Sequence, residues 1–214
     1  MSAGFTTAAD PVSANFARNR LLQGLTLAYA LLWIAMAIEP YSRFDWFLEN
    51  LLVVFFVGLL AVTYRGFPLS NLSYLLIAIF LGLHAVGAHY TYAKAPIGWW
   101  MTEAFDWERN HYDRVVHFLF GVLCAYPLRE TLLRGAGVAG WHSIALAFVL
   151  VLAFSSFYEM LEWGIAIVVS PDAALEFLGT QGDVFDAQKD TTLATIGAVL
   201  ALLLFPLIER RRRS

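Results

Sequence analysis

Charge is scarce in this chain. Of its 214 residues, 14% are Asp, Glu, Lys or Arg and 59% are hydrophobic, whereas a water-soluble domain of this size carries about 25% charged and about 45–50% apolar residues. The shortage excludes a soluble globular protein, and no basic surface for nucleic acid is present. Cysteine is reduced to Cys124, inside an apolar run; disulfides are excluded and a Cys-based metal site is not expected. The 7 prolines and 15 glycines do not cluster into a linker, and no repeat relates the two halves. Also missing are a Gly-rich phosphate loop, a nucleophile elbow, an HExxH pair and a haem attachment motif.

What is present is oil. Apolar runs fall at about 21–38, 46–63, 72–92, 115–128, 142–169 and 191–208. About 20 residues of helix cross the hydrocarbon core, so the pattern predicts an all-α membrane bundle of six transmembrane helices. The fourth run is short, and the fifth is long enough to tilt or to extend past the lipid. The first is not expected to be a cleaved signal peptide, because "AIEPYSR" offers no small-x-small cleavage site. The expected organisation is a cytoplasmic segment 1–20, a single transmembrane domain 21–208 and a basic tail 209–214.

Lys and Arg set the expected orientation. With the N-terminus inside, Arg18, Arg20, Arg65, Arg129, Arg134 and Arg210 to Arg213 are cytoplasmic, and Arg43, Lys94, Arg109, Arg114 and Lys189 are outside. Nine against five predicts both termini in the cytoplasm. Acids run the other way: Asp10, Glu130 and Glu209 lie inside against twelve outside, leaving the outer ends at −7. Such a field concentrates cations.

Within the oil, "SSFYEMLEWGIA" places Glu159 and Glu162 three residues apart. A carboxylate there is costly unless it is paired, metal-bound or protonated. On helices, residues three or four apart share a face. Ser155, Glu159 and Glu162 form one such stripe; Asp113 and His117 form a second; Asp183, Asp186 and Asp190 form a third, running on into Ala194, Gly197 and Ala201. Asp183 and Asp186 also suit the loop that "GTQG" opens. His84 and His89 close the third run, about 140° apart on a regular helix. All these groups fall at one depth, near the outer surface, and no other level is expected to hold such a set. Trp99, Trp100 and Trp107 in the longest outer loop are expected at the membrane interface, as a roof over the pocket.

The motifs "HAVGAHYTYA", "RNHYDRVVHFLFG", "YEMLEW" and "GTQGDVFDAQKD" resemble the YjdF-like family of bacterial inner-membrane proteins, grouped under a domain of unknown function. The likeness covers about residues 20–208, with Phe185 standing where a Trp is expected. It implies a multi-span protein of the bacterial inner membrane and supplies no activity. A fainter likeness is to VanZ-like envelope proteins.

Three readings of the glutamates stay open: an ion-pair network with Arg109, Arg114 or Lys189; a mixed His/carboxylate metal site; and a proton or cation pathway. The metal reading takes His84, His117, Asp113, Asp186, Asp190, Glu159 and Glu162 as candidate ligands for Zn, Mn or Fe. In it, Glu159 or Glu162 acts as general base in hydrolysis or group transfer on a lipid or envelope precursor. His89, Arg109, Arg114 and Lys189 are its candidate contacts to an anionic head group. The alternatives are a small proton- or cation-coupled transporter and a non-catalytic assembly protein.

Overall fold

A computed structural model describes residues 15–211, with side chains placed as far as residue 205. Segment 1–14 and the side chains of Glu209 and Arg210 to Arg213 therefore lie outside the described residues. Among the described residues the chain is helical, with no strand. Six helices are long and apolar enough to cross a membrane: α1 Arg20–Ala37, α2 Arg43–Thr63, α3 Asn71–His89, α5 Tyr112–Gly135, α6 Gly140–Val168 and α8 Asp186–Arg211. Two short helices, α4 Pro96–Phe105 and α7 Pro171–Leu178, lie in the α3–α5 and α6–α8 connections. These connections read from sequence as plain loops.

The helix ends follow local chemistry. The side chains of Asn19, Ser42, Ser70 and Ser170 accept backbone N–H groups in the first turns of α1, α2, α3 and α7, satisfying donors that have no intrahelical acceptor. Pro begins α4 and α7, where its missing N–H costs nothing. Gly179 ends α7 at φ 58°, a left-handed conformation that glycine adopts without strain.

Successive spans reverse direction, and α4 and α7 sit at the same end of the bundle. Helix α5 is the hub and packs against α3, α6 and α8, while α1 and α2 both pack on α3. Helix α1 buries none of its own residues and exposes Leu27, Leu31 and Ile34. An apolar face left open on a membrane helix is one turned to lipid.

The α5–α6–α8 core is built from small residues: Ala125, Ala147, Val151, Ala194, Ala198 and Ala201, with Leu202. Glycines bring α5 and α8 into backbone contact. A Cβ on Gly121 would lie 1.9 Å from the Ala194 carbonyl oxygen, and one on Gly197 would lie 2.2 Å from that of Phe118. Close approach of this kind replaces the hydrophobic effect as the packing force between membrane helices.

The opposite end of the bundle holds a buried carboxylate that the apolar runs did not foretell. Glu130 of α5 accepts from the Ser70 N–H at 2.8 Å, from the Ser70 hydroxyl at 2.7 Å, and from Ser73 Oγ and the Arg134 guanidinium. Polar groups thus occur at two levels, not one. Here every contact is paired, so the group reads as a lock between α5 and the start of α3.

Candidate functional site

Polar side chains from five spans meet at the end that carries α4 and α7. Helix α5 contributes Asp113 and His117, one turn apart on its buried face. The imidazole Nε2 of His117 lies 3.5 Å from Asp113 Oδ1 and 3.4 Å from Glu159 Oε1, and Ser155 Oγ lies 3.5 Å from its Nδ1. Helix α8 contributes Asp186 and Asp190. Asp113, Asp186 and Asp190 each offer an oxygen within 4.8 Å of the others. Asp190 is 2% exposed, and its Oδ1 and the Oε1 of Glu159 are buried with no hydrogen-bond partner. Glu162 lies one turn beyond Glu159 on the same helix.

The separations around His117 are informative. A hydrogen bond from nitrogen to oxygen spans about 2.7–3.2 Å, so neither carboxylate is well placed to accept from Nε2. Two ligand atoms each about 2.1 Å from one ion, at a tetrahedral angle, stand about 3.4 Å apart. Each of the two oxygens thus stands from Nε2 at the spacing of a ligand pair on one cation, while the three residues whose oxygens all lie close to one another are Asp113, Asp186 and Asp190.

The basic residues are engaged elsewhere. Arg109 grips Asp186 with both terminal nitrogens, at 2.7 and 3.3 Å, and also donates to the Thr180 carbonyl at 3.0 Å. Arg114 bridges Asp186 at 3.1 Å and Asp183. Lys189 closes on Asp183 from the next turn. Asp183 stands in the loop before α8, and its carboxyl is held well below the usual carboxylate range by the Lys189 ammonium, the Phe185 N–H and Arg114. Among the described residues no Lys or Arg pairs with Asp113, Asp190, Glu159 or Glu162. Of the three open readings of the glutamates, the ion-pair network with Arg109, Arg114 or Lys189 has no contact behind it: these cations pair with Asp183 and Asp186.

Two histidines also fall differently from expectation. Nε2 of His84 faces the Glu49 carbonyl at 3.2 Å, and Nδ1 faces the Tyr92 hydroxyl at 2.6 Å. A carbonyl only accepts, so Nε2 carries the proton and the Nδ1 lone pair is taken by Tyr92. No lone pair remains for a metal, and His84 drops out of the ligand set. His89 points the other way, with Nδ1 2.9 Å from the Met36 carbonyl of α1. Helix α3 runs unbroken to His89, so the angle between the two side chains keeps them on different neighbours.

The sequence reading missed the contribution of α2. Asp45, Glu49 and Asn50 are buried, and Glu49 accepts from Tyr158 at 2.6 Å with no Lys or Arg paired to it among the described residues. The ring of Tyr158 meets His117 edge-on, with centroids 5.9 Å apart. Asp45 and Glu49 have the same i, i+4 spacing as Asp113 and His117; that was the available signal.

Above the cluster the loops are tied together. Asn110 and Gln181 exchange two hydrogen bonds, backbone N–H to Oε1 at 3.0 Å and Nε2–H to carbonyl at 2.9 Å. Asn110 also donates to the Ala95 carbonyl and receives the Tyr112 N–H. A Cβ on Gly98 would overlap the Asn110 side chain, so the glycine admits α4 against this joint. Trp99, Trp100 and Trp107 are exposed around it.

No solved structure matches the chain. It is 37% identical over 184 residues to "Inner membrane protein YjdF" of Escherichia coli (strain K12), an alignment covering 86% of this chain and 88% of that protein. Residues 21–211 match the family described as "Predicted membrane protein (DUF2238)". With six spans in its fold and this family match over nearly its whole length, the chain belongs to the DUF2238 family and is a multi-pass protein of the inner membrane.

Proposed function

We propose that His117, Asp113, Glu159 and Asp190 hold a divalent metal ion, Zn, Mn or Fe, and that this centre serves hydrolysis or group transfer on a lipid or envelope precursor at the outer leaflet. The observation that carries the reading is the 3.4 and 3.5 Å spacing of His117 Nε2 from two carboxylate oxygens, beside the unpartnered buried oxygens of Glu159 and Asp190. Unneutralised carboxylates in a membrane interior call for a cation or a proton, and a mixed imidazole and carboxylate set suits these metals.

A metal held by these residues would lower the pKa of a bound water and polarise a substrate oxygen. Ser155 Oγ faces the other nitrogen of His117 at 3.5 Å, the position from which a metal-binding imidazole is usually supported, though at a separation beyond a firm hydrogen bond. Glu162, one turn from Glu159 and outside the ligand set, would serve as the general base that takes a proton from water. Asp186, already neutralised by two arginines, borders the centre and links it to them.

A proton- or cation-coupled carrier would use the same carboxylates. Against it stands the floor beneath them, where Gly121 and Gly197 press α5 and α8 backbone to backbone and Ala194 and Ala198 are fully buried. Elemental analysis of protein purified without chelators tests the metal reading. About one equivalent of a single divalent metal is expected, lost in His117→Ala; folded protein without stoichiometric metal overturns the proposal.

A further inference from the structure

A shallow groove of about 340 Å3 runs down the seam between α5 and α8, lined by Arg114, Gln188, Lys189, Thr192 and Leu193. The four α8 residues occupy one helical face, and Gln188, Lys189 and Thr192 are exposed. The groove has a direction. Arg114, Gln188 and Lys189 border its upper end near the first turn of α8, with the charged heads of Arg114 and Lys189 on Asp183; its lower wall, a turn further into the span, is Thr192 and Leu193, and its surface is mostly apolar. That sequence of cation, amide, hydroxyl and alkyl follows the order of a phospholipid from phosphate to acyl chain.

Charge points the same way. The carboxylates that Arg109, Arg114 and Lys189 pair with are Asp183 and Asp186, three cations on two acids. The Nε–H groups of Arg109 and Arg114 are buried without an acceptor. Lys189 keeps about half of its side chain exposed (49%). An anion at the upper end would share Arg114 and Lys189 with Asp183.

We propose that this groove binds the phosphate of an anionic membrane lipid at Arg114 and Lys189, with its chain lying over Thr192 and Leu193. Arg114 also contacts Asp186, which lies beside Asp113 and Asp190, so the bound phosphate sits next to the carboxylate cluster and the lipid enters sideways from the bilayer. That this lipid is the substrate of the cluster rests on the metal reading; that it binds does not.

The test is a titration of purified protein in mild detergent with short-chain phosphatidic acid, with short-chain phosphatidylcholine and inorganic phosphate as separate arms, read by tryptophan fluorescence. Phosphatidic acid is expected to bind about tenfold or more tightly than phosphatidylcholine, the effect of one charge-assisted contact, with inorganic phosphate weaker still. Lys189→Gln removes the exposed cation, and Thr192→Trp fills the groove without touching charge; each should weaken phosphatidic acid binding about tenfold. Equal binding of the two lipids, competition by inorganic phosphate at the lipid's own concentration, or unchanged binding in both variants would overturn the proposal. Metal content measured on the same samples separates the two readings: lipid binding without metal leaves the groove and removes the metal centre, and metal without lipid selectivity does the reverse.

Discussion

The hydroxyl of Tyr158 on α6 donates to Glu49 on α2 across 2.6 Å, and this contact joins α2 to a cluster otherwise formed by the other helices. Removing the donor leaves a buried carboxyl oxygen unpaired, a cost of about 1–3 kcal/mol. Tyr158→Phe is therefore expected to lower the melting temperature in detergent, and Glu49→Gln, which still accepts, to lower it less. Equal melts for wild type and Tyr158→Phe would show that the contact does not hold α2 in place.

The two buried histidines should separate in a metal assay. His117→Ala and Asp190→Asn are expected to empty the site, whereas His84→Gln, changing a ring with both nitrogens engaged, should keep its metal. Chelation should lower the wild-type melt by several degrees, because binding to the folded state alone is stabilising, with one divalent metal restoring it best. Metal loss in a folded His84→Gln protein would contradict the assignment.

Asp183 gives a pH signature. Its folded pKa lies below the unfolded value, through Lys189, the Phe185 N–H and Arg114. The stabilisation is thus complete above the unfolded carboxyl pKa of about 3.9 and is lost as pH falls through the lower folded value. The difference in melt between wild type and Asp183→Asn should stay constant from about pH 5 to 8 and shrink only below about pH 4. A difference that fades between pH 8 and 5 would assign the dependence to another group.

Orientation rests on the excess of Lys and Arg at the end holding the termini. Reporter fusions at residue 214 are expected to be active in the cytoplasm, and fusions in the 106–111 connection outside it. The reverse pattern would turn the cluster and groove to the inner face.

Hydropathy located the spans because lipid demands apolar length. The prediction 21–38 meets α1 at Arg20–Ala37, and 142–169 meets α6 at Gly140–Val168. The fourth span was undercounted, 115–128 against Tyr112–Gly135, because its ends carry Asp113 above and Arg129, Glu130 and Arg134 below. Hydropathy scores such groups as solvated, although in the bundle other helices satisfy Glu130. The same bias hid Asp45 and Glu49, counted only among the twelve acids of the outer ends. Periodicity brought Asp113, His117, Glu159 and Asp190 to one site. It was silent on which partner each would choose: the proton position on His84 depends on Tyr92, beyond the end of α3, and the arginines chose Asp183 and Asp186 through loop geometry that spacing does not encode.

Gly121 lies one turn below His117 on α5, and Ala194 one turn below Asp190 on α8. Their backbone contact is thus a fulcrum directly under two of the proposed ligands, with no compressible side chain between the helices. The gap between imidazole and carboxylate is then fixed by backbone thickness and not by how the side chains pack. If the proposed ion is held there, its radius is set by that contact: Gly121→Ala, whose Cβ would meet the Ala194 carbonyl at 1.9 Å, would pry the upper turns apart and shift preference toward a larger ion before it abolished binding.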